Sequence, residues 1–314
     1  MAPLPPYRVM AYEPPFTYVG ADMFGPLFIK QGRSKPKRWG CIFTCMCTRA
    51  IHLEVAPSLE TDDFINVLRQ FIARRGTPKE IRTDCGTNFR GANNELKKAV
   101  ALWNESQLTD KLSQKGIKWI FNPPYTSHFG GVWEGLIRDV KRALKAILQS
   151  SLVTDHVLRT VFAEVEAILN SRPLTRSRED ANDSTAITPA QLLLQRPAVV
   201  LPPGEFDQET VMTRRKWKQA QILANHFWNR WIKEYLTTLH LRQKWLKPQR
   251  NVRVGDLVLV SEKNIPRGLW PVAVITKVFR GPDEKIRTVE LRTKDSVYVR
   301  LIVKVVLLEE NELD

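Results

Sequence analysis

Long apolar runs and a secretion signal are the first features that this sequence lacks. No window reaches about 18 consecutive uncharged apolar residues, the length that a membrane-spanning helix needs. The N-terminal stretch MAPLPPYRVMAYEPPF is rich in proline and has none of the apolar core that a signal peptide carries. We therefore expect an intracellular protein with no signal peptide, no transmembrane segment and no membrane partner.

Cysteine and histidine are also scarce, with four and five copies in 314 residues. Cys41, Cys45 and Cys47 have even spacing in CIFTCMCT, so on a strand they would share one face with Phe43. A structural zinc site needs one pair of ligands near a second pair, and the sequence contains no such arrangement. Buried free thiols in a reducing compartment are the favoured interpretation, and no zinc is expected.

Positive charge is what the sequence has in excess. Lys and Arg number 48 against 33 Asp and Glu, which gives a formal net charge of +15 at pH 7. Such an excess usually indicates a polyanionic partner, most often nucleic acid. A basic protein without such a partner remains the alternative at this point. The length favours two or three domains.

The spacing of apolar residues predicts an α/β fold. Three strand-like stretches, each separated by a turn, predict a meander, and TDDFINVLRQFIARRG then predicts a helix with Thr61 as its N-cap. The short strand KEIRTD, a polar helical stretch and the strand IKWIFNPP follow. Two further helices come next, and the first of them runs from about Gly131 to Ser150. This order places helices around a mixed sheet.

A long helix and a set of short strands are predicted for the last third of the chain. The helix, from about Thr210 to Trp245, has a stripe of aromatic residues and alanines at a spacing of three to four. Packing in a helix–helix core is the favoured explanation of this stripe, and base stacking is the alternative. Its members are Trp217, Ala220, Ala224, Phe227, Trp231 and Tyr235. About five short strands follow, which suggests a small SH3-like barrel.

Three acidic residues stand out by their context. Asp22 lies inside an apolar strand, Asp84 ends a short strand before a glycine turn, and Glu134 opens a helix. Each alone has an ordinary explanation, because Asp commonly forms turns and an acid in a first helical turn complements the helix dipole. Together, on separate rigid elements of one frame, they match the carboxylates of a two-metal site for phosphoryl transfer.

The segments GADMFGPL, IRTDCGTNF and NPPYTSHFGGVWEGLIRDVKRAL, in this order, resemble the catalytic core of retroviral-type integrases, which has an RNase H-like fold. The Trp after GGV, the wide interval between the second and third acids, and the appended C-terminal region resemble more specifically the integrases of BEL/Pao-type LTR retrotransposons. The resemblance is strong over about residues 14–200 and weaker through the C-terminal strands.

The resemblance implies that Asp22, Asp84 and Glu134 are catalytic and bind two Mg²⁺ or Mn²⁺ ions. It also implies that Asn88 supports the neighbouring loop or contacts DNA. The implied reactions are hydrolytic trimming of the element's DNA 3′ ends and attack of those 3′ hydroxyls on target-DNA phosphates. The implied partners are the element ends, the target DNA and further copies of this chain. The DNA substrate implies a nuclear location.

A basic stripe follows Glu134 on the predicted helix. Arg138, Lys141 and Lys145 fall within about 60° of Glu134 at 100° per residue, opposite an apolar arc. Beside a metal site, this stripe is well placed to bind DNA phosphates and base edges. A solvated helix face is the alternative.

The predicted fold class is α/β, an RNase H-like core of a mixed five-stranded sheet with flanking helices, followed by a long helix and a small all-β SH3-like barrel. We divide the chain into a proline-rich N-terminal segment (1–13), an integrase-like catalytic core (14–200), a helical linker (201–250) and the C-terminal barrel (251–314).

The sequence departs from the retroviral pattern in two ways, and the second of them favours an alternative function. The interval from Asp84 to Glu134 is 50 positions (134 − 84), longer than in many retroviral enzymes, and the sequence has no His-His-Cys-Cys zinc module. We therefore expect a piece of a polyprotein read from an internal Met, or a domesticated remnant. A catalytically inactive, DNA-binding remnant is the alternative function. A ribonuclease H proper would need a fourth acid, for which the sequence offers no good candidate.

Overall fold

The computed structural model describes residues 10, 13–83, 90–92, 94–95, 117–121, 131–149, 152–176, 186–196, 215–239, 251–261, 267–281, 284–294 and 296–311. Within its helices, the side chains of residues 131–136, 149, 233–234 and 237–239 are not described. The chain forms two compact units. The first comprises residues 1–169 and 205–227, and the second comprises residues 170–204 and 228–314.

A mixed five-stranded sheet forms the centre of the first unit. Its strands are β1 (Tyr18–Phe28), β2 (Lys37–Cys45), β3 (Ile51–Ala56), β4 (Glu80–Thr83) and β5 (Lys118–Phe121), in the order β3-β2-β1-β4-β5. β1, β2 and β3 form an antiparallel meander. β4 is parallel to β1, and β5 is parallel to β4. The predicted meander and mixed sheet are therefore confirmed.

Three long helices accompany this sheet: α1 (Thr61–Arg75), α2 (Gly131–Gln149) and α3 (Asp155–Asn170). The prediction that Thr61 caps α1 is wrong by one residue, because Glu60 is the N-cap and its side chain makes no capping hydrogen bond. Ser58 fixes this turn instead. Its hydroxyl accepts a hydrogen bond from the Glu60 N–H (2.9 Å) and donates one to the Asp63 carboxylate (2.6 Å).

Stacked aromatic rings hold α1 to the sheet. The rings of Phe43 on β2 and Phe71 on α1 lie 4.2 Å apart and nearly parallel, and both side chains are fully buried. Burial of one such side chain stabilises a fold by roughly 1.5–3 kcal/mol. Cys41 and Cys45 are buried free thiols on β2, as expected. Cys47 is only partly buried, because β2 ends at Cys45 and the chain turns before it reaches the predicted strand face.

The second unit contains an antiparallel sheet of five strands. These are β8 (Leu257–Val260), β9 (Val272–Arg280), β10 (Ile286–Arg292), β11 (Val297–Leu301) and β12 (Val305–Glu309), in the order β11-β10-β9-β8-β12. Within the described ranges no pairing joins the two edge strands. The structure therefore shows an antiparallel sheet where the sequence predicts a closed SH3-like barrel. A two-stranded ladder of β6 (Thr175–Arg176) and β7 (Ala186–Ile187) precedes it, followed by the short helix α4 (Pro189–Leu194).

Helix α5 (Lys216–Leu239) begins in the first unit and ends in the second. Ala220, Ala224, Phe227 and Trp231 of its predicted stripe are buried, and Tyr235 is half-buried. Burial is therefore confirmed for the first four positions and is partial for Tyr235, whereas packing against another helix stays a prediction. Trp217 is the exception, since 56% of its surface is exposed. No helix in the described part of the chain is both long enough and apolar enough to cross a membrane.

Candidate metal and nucleic-acid site

Asp22 projects from β1, the central strand of the first sheet, where it lies opposite Ile42 of β2. Its neighbour Ala21 is buried, whereas 31% of the Asp22 side chain is exposed. A carboxylate on a largely apolar strand costs free energy unless a counter-charge or hydrogen bonds compensate it. Lys141 supplies that counter-charge, because its ammonium group donates a short hydrogen bond to the Asp22 carboxylate.

The apolar face of α2 brings Lys141 to this position. Ile137, Val140 and Leu144 are buried, and α2 packs against β1. These positions recur at the three- and four-residue spacing of one helix face. Lys141 lies at the border of that face and is 26% exposed. The buried arc predicted for this helix is confirmed at these described residues.

The remaining basic side chains of α2 face solvent. The side chain of Arg138 is 78% exposed, and Lys145 is also exposed. The buried Asp139 accepts a hydrogen bond from Arg142 at 3.1 Å and lies 3.9 Å from Arg138. Arg142 was missed from the sequence because it lies further round the helix from Glu134. The exposed basic side chains of α2 are therefore Arg138, Arg142 and Lys145, whereas the sequence predicted Arg138, Lys141 and Lys145.

The structure locates the other predicted site residues only in part. β4 ends at the fully buried Thr83, which directly precedes Asp84. Asp84 and Asn88 lie outside the described residues. Glu134 belongs to the first turn of α2, and its side chain is among those not described. In the part of the chain that the structure describes, no group of three His, Cys, Asp or Glu side chains is placed to hold a metal ion.

The ladder between β1 and β4 has a constant sequence offset. It pairs Tyr18 with Glu80, Val19 with Ile81 and Gly20 with Arg82, which is a difference of 62 positions in each case (80 − 18, 81 − 19, 82 − 20). Asp22 and Asp84 differ by the same 62 positions in the sequence (84 − 22).

Cys41 lies on β2 opposite Met23, the residue that follows Asp22. Burial, followed by the negative charges of Asp22 and Glu54, raises the pKa of the Cys41 thiol well above its usual value. The thiolate is the form that attacks and that binds metal. Cys41 is therefore a packing residue beside the site.

A second polar cluster, which the sequence did not reveal, joins β3, α1 and α3. The His52 ring lies between the carboxylates of Glu54 (3.0 Å) and Glu166 (3.1 Å). Arg74 donates to Glu54 and Arg75 donates to Glu166 in short hydrogen bonds. These residues line a cavity of about 330 Å³. Only the strand alternation of His52 and Glu54 could have indicated that both side chains point the same way.

The two neighbouring carboxylates favour the protonated form of His52. Burial lowers the pKa of the imidazole, but the hydrogen bonds to Glu166 and Glu54 raise it by more, so the net pKa is raised. Burial raises the pKa of Glu166, but the hydrogen bond and charge of His52, the Leu53 N–H and the charge of Arg75 together outweigh that effect, so the net pKa is lowered. The cluster is a charged structural link, since each of its acids already has a cationic partner.

A comparison with protein families gives a match in the C-terminal part of the chain. Residues 215–308 match a family of unknown function, DUF5641. The match spans α5 and the C-terminal antiparallel sheet. A search of curated proteins finds none that matches the chain.

Proposed function

We propose that this chain is the integrase of a BEL/Pao-like LTR retrotransposon, a metal-dependent polynucleotidyl transferase that trims DNA 3′ ends and joins them to target DNA. The observation that carries the proposal is the ion pair of Asp22 with Lys141. It joins the central strand of a mixed five-stranded sheet to the helix that contains Glu134. Such a sheet with flanking helices is what an RNase H-like core requires.

The proposed metal site needs Asp84 opposite Asp22. The ladder offset of 62 positions supports this, because the same offset separates the two acids in the sequence. Strands in one sheet lie about 4.8 Å apart, and residues opposite each other on parallel strands point to the same face. Two carboxylates in that relation suit a shared divalent cation, which prefers oxygen ligands from rigid elements.

The proposed site also needs Glu134 on the side of α2 that meets β1. Glu134 precedes Lys141 by seven positions, which is nearly two full turns of helix, so the two positions share one face. Lys141 on that face contacts Asp22. Two Mg²⁺ or Mn²⁺ ions held by Asp22, Asp84 and Glu134 would supply activation of the attacking oxygen and stabilisation of the leaving oxygen.

The half-buried carboxylate of Asp22 fits a cation ligand, because it already holds a positive group in this structure. In the proposal, Lys141 balances the charge of Asp22 until a metal ion takes that role. Its ammonium group is then available to a DNA phosphate. Arg138, Arg142 and Lys145 extend the positive surface along α2, where their exposed side chains bind further phosphates. Multimer formation and a nuclear location follow from the proposed family.

Strand transfer on a donor duplex in Mg²⁺ or Mn²⁺ tests this function. We expect joined product with the wild-type protein and none above background with Asp22→Asn or Glu134→Gln. Glu284→Gln, a carboxylate-to-amide change at a 79% exposed side chain between β9 and β10, is the matched control and should retain activity.

A DNA-binding remnant is the second candidate function. The exposed cations of α2 favour it, because phosphate binding requires no metal ion. If the wild-type protein joins no DNA while it still binds duplex in a salt-dependent way, the remnant is correct and the integrase proposal is wrong.

A further inference from the structure

Trp217 departs from the aromatic stripe to which it belongs. The next members of that stripe, Ala220 and Ala224, are fully buried, whereas 56% of Trp217 is exposed. Among the described tryptophans, Trp217 alone is exposed. Leaving a large aromatic surface in water forfeits the stabilisation that its burial would give. Core packing therefore does not account for Trp217.

Three basic residues surround Trp217 in the sequence. Arg215 and Lys216 are exposed, and the ammonium of Lys218 lies 5.9 Å from the centre of the Trp217 ring. α5 begins at Lys216, and its first turn contains no acidic residue. The N-terminus of a helix carries a partial positive charge, so cations there are unfavourable. The folded chain thus places three basic residues around Trp217 at a helix N-terminus, which itself carries a partial positive charge.

We propose that Trp217, with Arg215, Lys216 and Lys218, forms a binding site for an unpaired DNA strand. An exposed indole offers a flat face on which a base stacks, and the neighbouring cations bind the phosphates on either side. Bases within a duplex are already stacked on one another, so they cannot use the indole without distortion. The ligand is therefore a single strand or a frayed end.

A membrane surface does not suit this site. An interfacial helix needs a continuous exposed apolar face. Here the apolar residues that follow Trp217 on α5, Ala220 and Ile222 among them, are buried in the protein. One exposed ring among cations matches a base-stacking site instead.

This inference rests on the proposed function only in taking DNA as the ligand. It assigns a separate site, because none of its residues is among the proposed metal ligands. Its test therefore uses binding to metal-free single-stranded DNA, which needs no catalysis.

Fluorescence anisotropy with a labelled twelve-nucleotide oligothymidylate and with a twelve-base-pair duplex tests the site, using the full chain. We expect Trp217→Leu to weaken single-strand binding by about 5- to 150-fold, the equivalent of the stacking of one base. Trp217→Phe should retain most of the affinity, because phenylalanine also stacks. Duplex binding by Trp217→Leu should change less than about twofold, since duplex affinity comes mainly from phosphate contacts.

Two control variants separate the effect of base stacking from that of charge. A third measurement tests whether the Trp217→Leu protein is folded. Lys216→Gln should weaken binding to both DNAs and reduce the salt slope by about one phosphate contact. Leu152→Ala, at a 44% exposed apolar side chain, should leave both affinities unchanged. Circular dichroism of Trp217→Leu should match the wild type, because the replaced side chain is exposed.

The outcomes are distinct for the two proposals. Wild-type affinity of Trp217→Leu for the oligothymidylate, or an equal loss on both DNAs, would overturn the stacking site and leave the integrase proposal standing. Trp217-dependent binding in a protein that performs no strand transfer supports the stacking site and counts against the integrase.

Discussion

The Asp22 carboxylate on β1 binds the Lys141 ammonium on α2, although the two residues are 119 positions apart in the sequence. This contact joins the central strand to the helix that begins three residues before Glu134. It also gives a counter-charge to a carboxylate whose side chain is only 31% exposed. The proposed metal site and the proposed DNA surface meet at this pair.

Removal of the Lys141 charge should strengthen metal binding. A divalent cation and the ammonium compete for the same carboxylate, and an ion pair of this exposure contributes about 0.2–1 kcal/mol. We therefore expect Lys141→Met to bind Mn²⁺ about 1.4- to 5-fold more tightly than the wild type, measured by the rise of Tm with Mn²⁺ concentration. Lys145→Met is the matched control and should behave as the wild type does. Weaker Mn²⁺ binding by Lys141→Met would contradict the competition.

The exposed cations of α2 should set the salt dependence of duplex binding. The double change Arg138→Gln and Lys145→Gln removes two phosphate contacts, so the slope of log K against log salt should become shallower by about 1.8. Both side chains are exposed, and the free energy of unfolding should change by no more than about 0.5 kcal/mol. Lys79→Gln, whose lysine pairs with Glu13, provides the control. An unchanged slope in the double variant would mean that DNA binds elsewhere.

The His52 cluster should make stability depend on pH. The folded-state pKa of His52 is raised, so its stabilisation is complete below the usual value of about 6.5 and is lost as pH rises through the folded-state pKa. Chemical denaturation at several pH values should show the free energy of unfolding falling over that range. His52→Gln should remove this dependence, whereas His156→Gln, on the exposed surface of α3, should keep it. A wild-type profile that rises over this range would refute the protonated link.

Gly40 on β2 should tolerate no side chain. It lies opposite Phe24 on β1, and a Cβ there would overlap the Phe24 ring. That ring is buried and stacks on Phe162 at 5.9 Å, so it cannot move aside easily. We expect Gly40→Ala to lower the free energy of unfolding by about 1–3 kcal/mol. The loss should shrink in a Phe24→Leu background, and an equal loss in both backgrounds would mean that Phe24 is not the obstacle.

The local spacing of apolar residues predicted most of the secondary structure. It did so because the residues that a strand or helix buries recur at the period of that element. Alternation and apolar spacing indicated the strands of both sheets and the helices α1, α2 and α3. The errors occur where a contact with a neighbouring residue, and not the apolar spacing, determines where an element begins or ends. Ser58, not Thr61, fixes the start of α1, and Cys47 falls beyond the end of β2. Whether the C-terminal strands close into a barrel depends on pairing between distant strands, which no local pattern encodes.

The sequence indicated individual candidate site residues from their local context, but it did not predict their contacts with distant residues. Asp22 stood out because a charged residue interrupts an apolar strand. Its pairing with Lys141 was not predicted, because it depends on how α2 packs against β1. The link of His52 with Glu166 joins residues 114 positions apart (166 − 52) and has no local signature. The exposure of Trp217 was missed for a related reason, since its spacing alone fits the buried stripe.

The position of Asp84 relative to Asp22 tests the central claim most directly. A crystal structure of the protein with Mn²⁺, with the metal located by anomalous scattering, measures it. The ladder offset predicts that the Cα atoms of Asp22 and Asp84 lie about 5 Å apart on neighbouring strands, with Mn²⁺ between their carboxylates and Glu134 on the same ion cluster. Carboxylates of Asp22 and Asp84 more than about 10 Å apart could not share one metal cluster, and that result would contradict the proposed integrase site.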